Sequence, residues 1–199
     1  MKEFSDSAAG DERDRTAMLE LVAGKDTSLN ELMERHGPKL YRYLVRSLQN
    51  EDDAADIAQE TFVRVYRNRA AFDPRRKFSV WLYAIASNLV RSEFRSRARH
   101  PVVSLDVAQG EGGADFGEIL REDSPTPRES LENAESSAAV RLALADLPEE
   151  LRTPLILSEY EDLSHAEVGA ILNCSPKAVE TRLYRARKQL RVALSRFLQ

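Results

Sequence analysis

Residues 163–190 read LSHAEVGAILNCSPKAVETRLYRARKQL, and their punctuation divides them into two short helices around a tight turn. Ser164, followed three residues later by Glu167, forms a capping box, in which hydroxyl and carboxylate each take a backbone N–H left open at a helix start. Val168, Ile171 and Leu172 give that helix one apolar face. Asn173-Cys174 makes the turn, Ser175 can cap the next helix, and Pro176 falls in the first turn, where a missing N–H is tolerated. In the second helix Val179, Leu183, Ala186 and Leu190 recur at spacings of three and four as a core stripe. The other faces hold Lys177, Glu180, Thr181, Arg182, Tyr184, Arg185, Lys188 and Arg191. This is the helix-turn-helix arrangement, whose second helix fits the DNA major groove. Arg and Lys reach phosphates more often than bases, so Thr181, Tyr184 and Arg185 are the better candidates for base edges. Glu180 either repels phosphate or accepts from a cytosine amino group.

A formal net charge of −4 over 199 residues looks unsuited to DNA until it is divided along the chain. From Ser104 to Ser136 nine acidic residues stand against two basic ones, a local charge of −7. From Pro176 to Gln199 seven basic residues stand against one acidic, a local charge of +6. The whole-chain value conceals basic patches and an acidic tether. One cysteine, Cys174, excludes an internal disulfide and a Cys-cluster zinc site, and His36, His100 and His165 do not fall at metal-ligand spacing. No phosphate-binding Gly loop, nucleophile elbow or metalloprotease motif occurs, so no catalytic residue, metal or cofactor is expected. No apolar run approaches the ~20 residues of a membrane span, and the N-terminus MKEFSDSAAGDERDR is polar and acidic. A cytoplasmic protein without a signal peptide and without membrane insertion is the expectation.

The rest of the chain reads as helix, with no sustained period-two alternation. Residues 1–12 lack periodicity and are expected to be disordered. Ala17, Leu19, Leu21 and Val22 mark one helical segment; Leu29, Leu32 and Met33 mark another that leads to a break at Gly37-Pro38. Leu40, Tyr41, Leu44, Val45 and Leu48 follow at helical spacing, then Ile57, Phe62, Val65 and Tyr66 in a helix ending near Asn68–Ala70. A further helix from about Ser79 to Arg97 places Trp81, Ile85 and Leu89 as a buried stripe and ends in basic RSEFRSRAR. Gly110, Gly112, Gly113, Pro125 and Pro127 mark a linker. Pro154 is expected to kink its helix or mark its true start. The fold class is all-α: two small helical domains, 13–100 and 131–199, joined by a flexible acidic linker over 101–130.

Three stretches carry a family resemblance: DAADIAQETFVRVYRN at 53–68, FSVWLYAIASNLVRSEFRSR at 78–97, and DLPEELRTPLILSEYEDLSHAEVGAILNCSPKAVETRLYRARKQL at 146–190. Together they resemble regions two and four of the compact extracytoplasmic-function (group four) sigma factors of the bacterial sigma-70 family. The resemblance implies an RNA polymerase initiation factor that binds core polymerase through the beta-prime clamp helices and the beta subunit. It also implies recognition of the minus-ten and minus-thirty-five elements of promoter DNA and regulation by an anti-sigma factor, with no small-molecule substrate.

By motif, the resemblance assigns Asp53, Asp56, Gln59 and Glu60 to the clamp helices. It assigns Asn88, Arg91, Arg95 and Arg97, with Phe72 in the preceding loop, to the opened minus-ten strand. Lys177, Thr181, Arg182, Tyr184, Arg185 and Lys188 would read the minus-thirty-five duplex. A basic groove with surfaces on which bases rest suits a single strand, and unstacking costs about a few kcal/mol per base. Many family members carry a basic residue where this chain has Glu180, which bears on promoter sequence. The acidic linker would thread the polymerase cleft and mimic nucleic acid there. A stand-alone helix-turn-helix regulator of the LuxR type would instead need a sensing domain in front, and a sigma mimic would carry an appended receiver domain.

Overall fold

The computed structural model describes residues 2–99 and 130–195, with side chains over 9–99 and 138–195, so the expected linker lies outside the described residues. The N-terminal unit comprises α1 (Lys2–Val22), α2 (Thr27–Leu48), α3 (Glu51–Arg67), a 3-10 turn at Arg69–Ala71 and α4 (Phe78–Arg99). The C-terminal unit comprises α5 (Ser130–Ala145), α6 (Glu149–Glu159), α7 (His165–Leu172) and α8 (Pro176–Ala193). Among the described residues there is no strand, no group of three potential metal ligands, and no helix long and apolar enough to cross a membrane.

The first core forms where Met18 and Leu21 of α1, Leu32, Leu40 and Leu44 of α2, Phe62 and Val65 of α3, and Phe78 and Leu82 of α4 meet. Tyr43 is fully enclosed there, its hydroxyl 2.9 Å from Ser87 Oγ and its ring edge-on to Tyr83 at 5.2 Å. Burial pushes the Tyr43 phenol up to about 12, so it stays neutral and serves as a packed hydrogen-bonding ring. Asn50 caps α3 by accepting from Asp53 N–H at 3.0 Å, and Glu51, Asp52 and Asp53 suit the positive end of that helix.

Several elements differ from the sequence expectation. The anticipated break at Gly37-Pro38 does not occur: α2 runs unbroken through Pro38, because Leu32, Leu40 and Leu44 on both sides of it bury one continuous stripe. The proline's missing hydrogen bond is outweighed by packing. α1 begins at Lys2 and includes residues read from composition as disordered; Asp14, 5% exposed, anchors it by accepting from His36 Nε2 at 2.7 Å and pairing with Arg35 at 3.0 Å. Met18 is buried while Leu19 and Val22 face outward. On α4 the fully covered line is Phe78, Leu82, Ala86 and Val90; Trp81 and Ile85 are half-buried, with only Leu89 of the expected stripe enclosed. The helix is rolled because it is covered from two sides, by α3 and by α7. Pro154 lies inside α6 and is buried, and Pro148 is the N-cap.

The C-terminal unit follows its local signals closely. Ser164 Oγ accepts from Glu167 N–H at 3.3 Å while Glu167 Oε2 accepts from Ser164 N–H at 2.9 Å, completing the capping box. Ser175 Oγ accepts from Ala178 N–H at 3.2 Å with Pro176 behind it. Between the helices Asn173 adopts a left-handed conformation with φ 53°, which brings the Cys174 carbonyl back over α7. A Cβ on Gly169 would lie 2.7 Å from that carbonyl oxygen, so the helix-turn-helix closes only over a glycine. Gly169→Ala is therefore expected to cost about 2 kcal/mol, roughly 4–8 °C in melting midpoint for a chain of this size. Thermal unfolding followed by circular dichroism measures it, and an unchanged midpoint would mean that the turn has room.

Candidate nucleic-acid interface

α8 packs inward through Val179, Leu183 and Ala186, which are 0–1% exposed, and presents the opposite face to solvent. Thr181, Tyr184, Arg185 and Lys188 are exposed on that face, Tyr184 at 69%. They form one surface along about two turns of helix, which suits a major groove. Thr181 Oγ1 donates to Lys177 O at 2.9 Å, which leaves its lone pairs outward. Lys177 Nζ lies 2.7 Å from Glu180 Oε2, and this pairing holds the Glu180 carboxyl below its ordinary range. Glu180 thus stays ionised, its charge offset at once by Lys177. Repulsion of phosphate is accordingly less than the sequence implies.

Arg182 does not share this face. It is half-buried beside the turn, with Nη1 3.5 Å from Cys174 Sγ, and it lines a cleft of about 220 Å³ with Arg91 of α4 and Glu149 and Glu150 of α6. The expectation that Arg182 belongs to the duplex-reading surface is therefore not met here, because the seventh residue of α8 points along the flank of the helix. Arg187, on the other side of the buried stripe, pairs with Glu159 at 2.5 Å.

On α4, Asn88 and Arg95 are exposed, Arg91 is half-buried, and Arg97 is exposed but bonded to Asp53 and to Glu93, the latter at 2.9 Å. Asn88 and Arg95 are seven residues apart, two turns along one side of the helix. Phe72 is 9% exposed and packs at 5.3 Å from the Trp81 ring and 6.3 Å from the Phe78 ring. The structure thus places Phe72 in an aromatic cluster of the core with Trp81 and Phe78 of α4. The exposed residues of the loop are Pro74, Arg75, Arg76 and Lys77. Asp73 accepts from Arg75 N–H at 3.0 Å and Nε at 2.9 Å, and these bonds hold its carboxyl down at about 2.

The acidic face of α3 splits in two. Asp53 is engaged by Arg97, and Glu60 accepts from Arg64 Nε at 2.7 Å, whereas Asp56 and Gln59 are exposed. Gln59 borders an apolar groove of about 530 Å³ between α2 and α3, lined by Leu29, Met33, Phe62, Val63 and Tyr66. Sequence reasoning found the polar rim and missed the groove, since Leu29 and Met33 read only as core residues of a separate helix. Their offset from the buried Leu32 was the available signal.

Two family matches divide the chain where the fold does: Sigma-70 region 2 over residues 32–100 and Sigma-70 region 4 over residues 137–190. The chain is 34% identical over 171 residues to the ECF RNA polymerase sigma factor SigW of Bacillus subtilis, covering 86% of this chain and 91% of that one. The solved structure of CnrH in complex with the cytosolic domain of CnrY is similar at a TM-score of 0.65 and 26% identity, over 92% of this chain and 97% of that chain. The sigma factor RpoE of Bartonella quintana, solved with the anti-sigma factor NepR, shares the fold at a TM-score of 0.63 and 22% identity, over 83% of this chain and 96% of that chain. Two regions matched in order, each on its own helical unit with an exposed basic or acidic face, lead to one assignment. The chain belongs to the extracytoplasmic-function RNA polymerase sigma factors of the sigma-70 family.

Proposed function

We propose that this sigma factor opens promoters through α4 and recognises them as duplex through α8, while the exposed Asp56–Gln59 face of α3 holds the clamp helices of core polymerase. The observation that carries the reading is the pairing of two exposed nucleic-acid faces on separate units: Asn88 and Arg95 on one, Thr181, Tyr184, Arg185 and Lys188 on the other. The first suits a single strand, where a polar amide and a cation along one line hold bases and phosphates. The second suits a groove. The apolar groove beside Gln59 gives the polar face of α3 a desolvated centre, as a stable protein contact needs. Regulation by an anti-sigma factor accords with a related fold solved against the cytosolic domain of a second protein.

The test is association with core polymerase. Asp56→Lys with Gln59→Ala is expected to weaken binding of the labelled chain to purified core by about 10- to 100-fold, the effect of removing central interface contacts and adding a repulsive charge. Circular dichroism should be unchanged, since both side chains are exposed. Unaltered affinity for core would place the clamp contact elsewhere, and no affinity of the unmodified chain for core would end the reading.

A further inference from the structure

The start of α8 carries an ion pair set against the helix's own preferences. Lys177 Nζ lies 2.7 Å from Glu180 Oε2, and the two side chains are 81% and 56% exposed. A cation in the first turn opposes the positive end of the helix dipole, and the favourable order for such a pair places the acid ahead of the base. Here the order is reversed. An exposed pair adds little to stability in any case, and Ser175 and Pro176 already fix the helix start. The needs of the fold therefore do not account for Lys177 and Glu180. They stand one turn before Thr181 and Tyr184, in the part of a second helix that meets base edges.

Resting on the reading of α8 as the duplex-recognition helix, we propose that Glu180 is a specificity residue. With Lys177 it reads one C·G base pair of the minus-thirty-five element, the carboxylate accepting from cytosine N4 and the ammonium donating to guanine O6. In a C·G pair those two atoms are bonded to each other at about 2.9 Å, and each turns a remaining hydrogen or lone pair into the major groove. Glu180 Oε2 and Lys177 Nζ offer the complementary acceptor and donor at nearly the same separation, so ion pair and base pair meet edge to edge. A further ammonium hydrogen is free for guanine N7. The other base pairs fit worse. A G·C pair sets the carboxylate against guanine O6, and a T·A pair sets it against thymine O4. An A·T pair offers the N6 donor but flanks it with the N7 acceptor and puts the thymine methyl against the ammonium. Lys177 holds the carboxylate ionised, so its repulsion of those acceptors is present at neutral pH. The acid thus rejects wrong bases as well as holding the right one.

The test uses holoenzyme assembled from this full chain and core polymerase, on a promoter whose upstream element is randomised, with sequencing of the templates that yield transcript. The parent chain is expected to favour C·G at one position by about tenfold. Glu180→Ala should abolish that preference and leave the others, including the one that Arg185→Ala relaxes. Glu180→Gln should turn it toward adenine, whose N6 and N7 suit a carboxamide. Lys177→Ala should weaken the same preference at the same position. Circular dichroism of all the Lys177 and Glu180 variants should match the parent, since both side chains are exposed. If Glu180→Ala raises transcription from all sequences alike and keeps every base preference, Glu180 only repels phosphate and the inference is overturned. Unchanged output with Glu180→Ala overturns it equally. In both cases the initiation reading stands, because transcript is still made. If no start on any template depends on the parent chain, the initiation reading fails and this inference fails with it.

Discussion

Replacing Arg152 with alanine is expected to lower the unfolding free energy by about 3–5 kcal/mol. The guanidinium donates to Ser47 O at 2.7 Å, Ala145 O at 2.7 Å and Leu147 O at 2.8 Å. These carbonyls stand at or just beyond the C-terminal ends of α2 and α5, where the helix dipoles concentrate negative potential and no intrahelical donor remains. One planar cation therefore serves two helix ends from two units. Burial lowers its pKa from the usual guanidinium value, but the group remains charged at any ordinary pH. Alanine leaves the carbonyls without their donors and opens a void beneath Phe94. Arg152→Lys should recover only part of the loss, because an ammonium cannot reach three divergent carbonyls with fork geometry. Urea denaturation of the three proteins measures this; a loss under about 1 kcal/mol for alanine would show that the buried cation is replaceable by water.

The second large effect concerns DNA. Arg185→Ala is expected to weaken minus-thirty-five duplex binding by about 1–3 kcal/mol, roughly 5- to 150-fold, and to relax preference at the base it faces. Lys188→Ala should weaken binding evenly across sequences and lower the salt slope by about one, the mark of a phosphate contact. Arg182→Ala should have a small effect on isolated duplex, because Arg182 lies on the flank beside Cys174 and Arg91 rather than with Tyr184 and Arg185. Titrations at several salt concentrations separate the three. Equal losses for Arg182 and Arg185 would mean that the flank, not the exposed face of α8, meets DNA.

The features legible in the sequence were those written in short-range signals. Ser164–Glu167, Asn173, Ser175 and Pro176 act within four residues of themselves, so the helix-turn-helix could be drawn from residue types alone. The stripe Val179, Leu183, Ala186 belongs to the same class, since one face of α8 is buried against its own unit. What was misread depended on distant partners. Gly37-Pro38 looks like a break until Leu32 and Leu44 are seen to bury on the same side, and the burial of α4 rotates from Trp81 and Ile85 to Leu82 and Ala86 because a second unit covers it. Arg97 and Asp53 each read as a functional charge, yet α3 and α4 place them against each other. The resemblance assigns Phe72 to the opened strand, and only the folded loop shows it among aromatic neighbours. Nothing local in DLPEELR marks Arg152 as the group joining two domains, for its acceptors are backbone carbonyls, one of them 105 residues away.

The central claim, that this chain directs RNA polymerase to promoters, is tested most directly by run-off transcription with purified core on a genomic fragment library, with sequencing of transcript starts. The account predicts new starts that depend on the protein, share a pair of upstream elements, and fall in number with Asn88→Ala and with Arg185→Ala. Starts identical with and without the protein would contradict it.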